Sequence, residues 1–172
     1  KAGAQIYSGS SIAEGCKIGG EVNNSIILPW SNKAHGGYLG SSYVGSWVNF
    51  GAGTNNSNLK NNYGSVKVTI NGEVIDTGLQ FMGLIMGDYS KCGINTTFNT
   101  GTSIGINCNL YGSAIHNKHI PLFTWGSVAD GYTTYKLDKA LAVNKTVMSR
   151  RKQSLSEYDE ELLRNVFQLT TG

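Results

Sequence analysis

Between Met86 and Ala114 an apolar residue returns every six positions, at Met86, Cys92, Phe98, Ile104 and Leu110. Four places after each stands a small residue, Ser90, Thr96, Thr102, Cys108 and Ala114, and Gly87, Gly93 and Gly105 follow three of the apolar openers. A period of six fits neither the 3.6 spacing of a helix nor the alternation of a long strand. It suits a chain that lays a short strand along one side of a triangular prism, turns a corner and repeats, with about 18 residues to a coil. The opener fills the prism and the small residue sits where a corner leaves little width; Gly and Asn tolerate the corner backbone. The same step recurs at Ile6, Ile12 and Ile18, with Ser10, Cys16 and Val22, and at Val44 and Phe50, with Val48 and Thr54. Three runs in one phase predict a mainly β fold: a left-handed parallel β-helix of hexapeptide repeats.

The breaks in the pattern mark the other elements. Phase slips from Pro29 to Gly40, where His35 and Tyr38 lie beside Gly36 and Gly37. Five asparagines fall between Asn55 and Asn62, which reads either as a corner loop or as amides that orient a polar ligand. Ser65 to Gly78 alternates around Asn71-Gly72, a strong hairpin signal, so an excursion from the prism is expected over about residues 59–78. The β-helix is expected over residues 1–114, an irregular crossing over 115–134, and a C-terminal α-helical segment over 135–172. Ser156 and Asp159 form a helix-start pattern, and the stripe Tyr158, Leu162, Val166, Leu169, with Leu163 and Phe167 beside it, is expected to cover the end of the solenoid or a neighbouring subunit.

Composition narrows the function classes. Of 172 residues 23 are Gly and 2 are Pro, as a coil of tight turns requires. The net charge of +3 gives no support for nucleic-acid binding, though a mild basic bias attracts phosphorylated substrates. No apolar run approaches the roughly 20 residues of a membrane span. Cys16, Cys92 and Cys108 all fall on inward positions and read as core residues rather than disulfide partners or ligands, which points to the cytoplasm. The chain opens on Lys1 already inside the repeat, so an N-terminal domain is expected to precede it.

Candidate chemistry gathers around the phase break. Asn49 and Asn58 flank the glycine-rich corner Gly51-Ala52-Gly53, and Lys67 lies on the alternating strand that follows. Residues about 18 apart stack on adjacent coils, so positions near 35 and 55 are expected to be neighbours. An imidazole, a phenol, amides and an ammonium around one groove would suit transfer of an acyl group to an amine, with a neutral base accepting the amine's proton. From composition alone a lone histidine is more readily a hydrogen-bonded structural residue.

The stretch from Asn32-Lys33-Ala34-His35-Gly36-Gly37-Tyr38 through Val48-Asn49-Phe50-Gly51-Ala52-Gly53-Thr54 to Asn58-Leu59 resembles the acetyltransferase domain of bifunctional sugar-phosphate nucleotidyltransferase/acetyltransferases, which make UDP-N-acetylglucosamine. The resemblance extends over about residues 18–114. It implies that His35 is the general base toward the amino group of glucosamine 1-phosphate, with acetyl-CoA as co-substrate. Tyr38, Asn49, Asn58 and Lys67 would then bind the sugar phosphate, and Ala52 and Asn58 the acetyl carrier. It also implies a homotrimer with grooves between neighbouring prisms, and Mg2+ only for the missing nucleotidyltransferase domain. Three positions depart from the family pattern: Asn23 stands where bacterial members carry a phosphate-binding lysine, Leu59 where an aromatic is expected, and Ser41 in place of an acid.

Two other readings come from different classes. The solenoid could be a non-catalytic trimerising or effector-binding module of a sugar-1-phosphate nucleotidyltransferase. A zinc enzyme would need three converging histidines; His35, His116 and His119 are the only three, and the last two lie beyond the repeat, so no metal site is assigned.

Overall fold

The computed structural model describes residues 1–171. Short strands stack into three parallel faces of a β-solenoid, one strand per face per coil. The second face is the most regular, a six-stranded parallel sheet of β2 (Ser11–Ile12), β5 (Ile26–Ile27), β8 (Tyr43–Val44), β13 (Leu84–Met86), β16 (Thr102–Ile104) and β18 (His119–Ile120). The third face carries β3 (Lys17–Ile18), β6 (Asn32–Lys33), β9 (Asn49–Phe50), β14 (Lys91–Cys92), β17 (Asn109–Leu110) and β19 (Thr124–Ser127), with β20 (Gly131–Thr134) folded back antiparallel on β19. The first face holds β1 (Gln5–Ile6), β4 (Glu21–Asn23) and β7 (Tyr38–Gly40), and further along β10 (Asn55–Asn56) pairs with β15 (Thr97–Phe98).

Coil length varies, and this variation is what breaks the phase. Ile85 pairs with Ser103, a step of 18, but Glu21 pairs with Tyr38, Gln5 with Glu21 and Ser11 with Ile26, steps of 17, 16 and 15. The shorter coils carry the same inward residues with fewer corner residues, so a rigid count of six loses them. The inward residues form one continuous core, with Val22, Leu39, Ile27, Val44, Met86, Ile104, Phe50 and Leu110 all buried, whereas the opener Ile6 in the first coil is 51% exposed. Each buried side chain contributes about 1.5–3 kcal/mol by leaving water. Opener positions are polar at Lys33 and Asn56, each 4% exposed, and at His116, 2% exposed beside Phe98.

The solenoid does not stop at Ala114. His119–Ile120 pairs in parallel with Ser103–Ile104, and Trp125 with Asn109, so the segment expected to be an irregular crossing makes a further coil. Ile120 keeps the inward position, while Pro121 and the aromatic residues after it hide the six-step. The antiparallel strand β20 pairs the last parallel edge, which otherwise would present unpaired backbone.

Between Ser57 and Gly83 the chain leaves the prism. There β11 (Lys67–Ile70) and β12 (Glu73–Asp76) form a hairpin, joined by Asn71 at φ 50° and Gly72 at φ 82°, the paired left-handed geometry that a two-residue hairpin turn demands. The ladder resumes undisturbed, with Tyr43 opposite Ile85 and Asn49 opposite Lys91.

Helix α1 (Leu137–Ser149) does not cap the end of the prism. It runs lengthwise, burying Ala140, Leu141, Asn144 and Met148; the Asn144 Nδ2 donates to Asn107 Oδ1 at 2.8 Å, and Arg151 beyond the helix reaches back to the carbonyl of Gly15 in the first coil. Helix α2 (Glu157–Thr171) starts at Ser156, whose hydroxyl accepts from the Asp159 amide at 3.0 Å and donates to its carboxylate at 2.6 Å. Its inner side is Leu163 and Phe167, the latter edge-on to Phe123 at 4.9 Å. Of the expected stripe, Leu163 and Phe167 therefore pack inward, whereas Tyr158, Leu162 and Leu169 face outward within the subunit, 75%, 50% and 85% exposed. Among the described residues no helix is long and apolar enough to cross a membrane.

Candidate active site

The corner between the third and first faces is built by glycine. At Gly37, φ is 116°, and a Cβ there would run into the carbonyl of Thr54 one coil on. The coils therefore touch backbone to backbone, with the Gly53 N–H donating to Gly36 O at 3.0 Å. So tight a turn directs the side chain between its strands outward, and His35 is exposed. Its backbone is held from inside: the buried Lys33 Nζ donates to the carbonyls of His35 and Gly19, each at 3.1 Å. Burial pulls the Lys33 ammonium below the ordinary lysine range, partly opposed by Glu21. Ala52 occupies the same corner one coil along, where its carbonyl accepts from the Asn95 amide.

Across the first face, Tyr38 and Asn58 meet. The Asn58 Nδ2 donates to the Tyr38 hydroxyl and to Ser41 Oγ, both at 3.0 Å. Tyr38 folds back over Gly40, where a Cβ would collide with the phenol. The strand beside Tyr38 is paired by side chains: Asn55 Oδ1 accepts from the Tyr38 amide at 2.8 Å, while Asn56 accepts from the Gly40 amide at 2.9 Å and donates to the Gly40 carbonyl at 3.0 Å. A carboxamide matches a peptide group donor for donor, so two of the five asparagines replace a missing ladder.

The remaining expected residues are elsewhere within the subunit. Asn49 projects from the third face, where its Oδ1 lies 3.5 Å from Asn32 Nδ2. Lys67 opens the hairpin opposite Asp76; its charge is one of several influences that hold the Asp76 carboxyl below its usual range, after hydrogen bonds from Gly78 and Ser65. His116 is buried, with its Nδ1 hydrogen-bonded to the Tyr132 hydroxyl at 2.8 Å, and the His119 Nδ1 is hydrogen-bonded to Ser103 Oγ at 3.0 Å. Among the described residues no three His, Cys, Asp or Glu side chains form a group suited to a metal ion. The cysteines are free; Cys92 and Cys108 lie in the core, and burial pushes the Cys108 thiol up to about 11.

Lys33 and Asn56 support His35 and Tyr38 without having been given a role from sequence, and Ser41 and Asn55 do so although they entered there only as a departure from the family pattern and as one of five clustered asparagines. The signal for Lys33 and Asn56 was available, since each puts a polar side chain where the repeat calls for an apolar one.

No protein-family model matches the chain. It is 36% identical over 111 residues to a bifunctional sugar-1-phosphate nucleotidylyltransferase/acetyltransferase of Sulfurisphaera tokodaii, covering 63% of this chain and 28% of that protein. It is 35% identical over 100 residues to the bifunctional protein GlmU of Methanocaldococcus jannaschii, covering 58% of this chain and 24% of that one. The chain thus spans about a quarter of the length of these curated relatives. Among solved structures, a point mutant of AntD, an N-acyltransferase from Bacillus cereus in complex with dTDP-4-amino-4,6-dideoxyglucose and coenzyme A, overlaps at a TM-score of 0.47 with 14% identity, covering 86% of each chain.

Proposed function

We propose that this chain is an acetyltransferase domain that moves the acetyl group of acetyl-CoA onto the amino group of a sugar 1-phosphate of the glucosamine 1-phosphate type. The similarity to bifunctional nucleotidylyltransferase/acetyltransferases carries this reading. The local geometry is compatible with it, because His35 stands exposed on the corner three residues before Tyr38, which is hydrogen-bonded to Asn58. In the reaction the imidazole accepts a proton as the amine nitrogen attacks the thioester carbonyl. The new C–N bond forms, the C–S bond breaks, and the departing thiolate takes up a proton. Tyr38, Asn58 and Asn49 would hold the sugar phosphate, and the backbone at Ala52 the carrier. Lys67 would answer the phosphate in a homotrimer whose grooves lie between prisms. The parent protein would join this domain to a Mg2+-dependent sugar-1-phosphate nucleotidyltransferase.

The test is thiol release from acetyl-CoA with a panel of amino sugar 1-phosphates, for the chain and for His35→Gln. Release that depends on an acceptor and falls by about 10²-fold or more in the variant supports the proposal. A trimer that releases no thiol with any acceptor would assign the chain to non-catalytic assembly instead.

A further inference from the structure

The third face holds a second polar site, apart from the pair of Tyr38 and Asn58. Helix α1 lies over this face, and between helix and sheet is a cavity of about 530 Å3. Its polar lining is Lys17, Asn32, Asn49 and Lys91 from the sheet, with Arg150 and Arg151 from the end of the helix. Four cations therefore surround one cavity whose lining includes no Asp or Glu. The salt bridges of the described residues join Lys145 and Arg164 to Glu160 and Asp138, and none uses these four.

Two of the cations are held in place. Arg151 donates to Gly15 O at 2.6 Å and to Asn32 Oδ1 at 3.3 Å, and its guanidinium lies over the Trp30 ring at 5.7 Å. Trp30 in turn stacks on Trp47 at 5.4 Å. Lys91 donates to Tyr89 O at 2.8 Å, leaving two of its three donors unassigned, and burial is the sole cause that depresses its ammonium. Docking the helix for its own sake would favour apolar or oppositely charged partners, because like charges brought under one helix repel. An anion removes that repulsion. Lys and Arg donors around a concave site suit phosphoryl oxygens, and the cavity is within the range of small-ligand pockets and far larger than one phosphate.

We propose that the cavity between α1 and the third face binds a ligand through a diphosphate group. The diphosphate of a nucleotide and that of coenzyme A share this chemistry. The cavity shares Asn49 with the residues proposed to hold the sugar phosphate, so its coenzyme A arm rests on that reading, whereas binding of pyrophosphate tests the cavity without acetyl transfer.

The full chain is titrated with inorganic pyrophosphate, orthophosphate, UDP and coenzyme A, following Trp fluorescence and heat. Pyrophosphate is expected to saturate at least tenfold more tightly than orthophosphate and to change the signal of Trp30. Lys91→Met and Arg151→Gln should each weaken it about tenfold or more, whereas Lys118→Gln, outside this cavity, should leave it unchanged. Lys17→Gln, at an exposed site, repeats the test where folding is not at stake. Tighter binding of UDP or of coenzyme A identifies the source, and either order supports the site. Affinity unchanged in all three cavity variants, or no saturable binding of any diphosphate, overturns it.

Discussion

Lys91 offers a quantitative check, because its amine is pushed down from 10.5 to about 8 by burial alone. At pH 7 it is protonated both folded and unfolded, so the folded state carries the full cost, at most about 3.4 kcal/mol at about 1.4 kcal/mol per unit. Between pH 8 and 10.5 the unfolded chain holds more protons than the folded one, so stability rises with pH. By pH 9.5 most of the folded amines are neutral and the remaining cost is about 1.4 kcal/mol, a gain of about 2 kcal/mol over pH 7. Lys91→Met keeps the length of the stem and removes the titration. Urea unfolding followed by Trp fluorescence at both pH values measures the difference. The variant is expected to be more stable by up to about 3.4 kcal/mol at pH 7 and by about 1.4 kcal/mol at pH 9.5. Lys33, depressed in the same sense, titrates in both proteins and cancels. An advantage that does not change with pH, or a variant less stable at pH 7, refutes the reasoning.

Other outcomes follow from the same geometry. Asn56→Ala leaves the Gly40 amide and carbonyl without their side-chain partner; a loss of about 2–4 kcal/mol in urea unfolding is expected for two buried groups. Gly40→Ala forces the Tyr38 phenol aside, lowering stability by about 1–3 kcal/mol and, if Tyr38 holds the acceptor, raising KM for the sugar more than it lowers kcat. Tyr38→Phe removes the acceptor of the Asn58 amide and should cost about 1 kcal/mol in stability. In native protein at pH 8, Cys92 and Cys108 should resist iodoacetamide, because both are buried with raised thiol pKa. Cys16, partly exposed, should react first by mass spectrometry.

The solenoid was legible because its period is a property of side-chain volume: Met86, Cys92, Phe98, Ile104 and Leu110 mark it without any neighbour being known. The hairpin was legible because Asn71-Gly72 fixes its own turn. What escaped was set by contacts between coils. Ile120 keeps the core position, but the coil that carries it is 16 residues long rather than 18, so a fixed count passes over it. The direction of α1 depends on Arg151 finding Gly15, 136 positions earlier in the chain, which no local pattern encodes. Of the expected site residues, Tyr38 and Asn58 meet because they are one coil apart on one face, whereas Lys67 belongs to a hairpin whose placement its own alternation does not specify.

The neck of the excursion has a consequence for how the chain could change. Its two stems are clasped where the Met82 amide donates to Asn58 O at 2.9 Å and the Gly83 amide to Ser41 O at 2.8 Å. Val66 and Val68 between them are buried, with Val66 against Gly101 of the stack, but the turn at Asn71-Gly72 and the exposed strand β12 can be lengthened, shortened or exchanged without shifting a rung, which makes the tip a natural graft point. Yet Asn58 and Ser41 are also the residues that hold the Tyr38 hydroxyl network. A newly inherited loop would therefore retune the groove through its clasp, leaving the scaffold untouched.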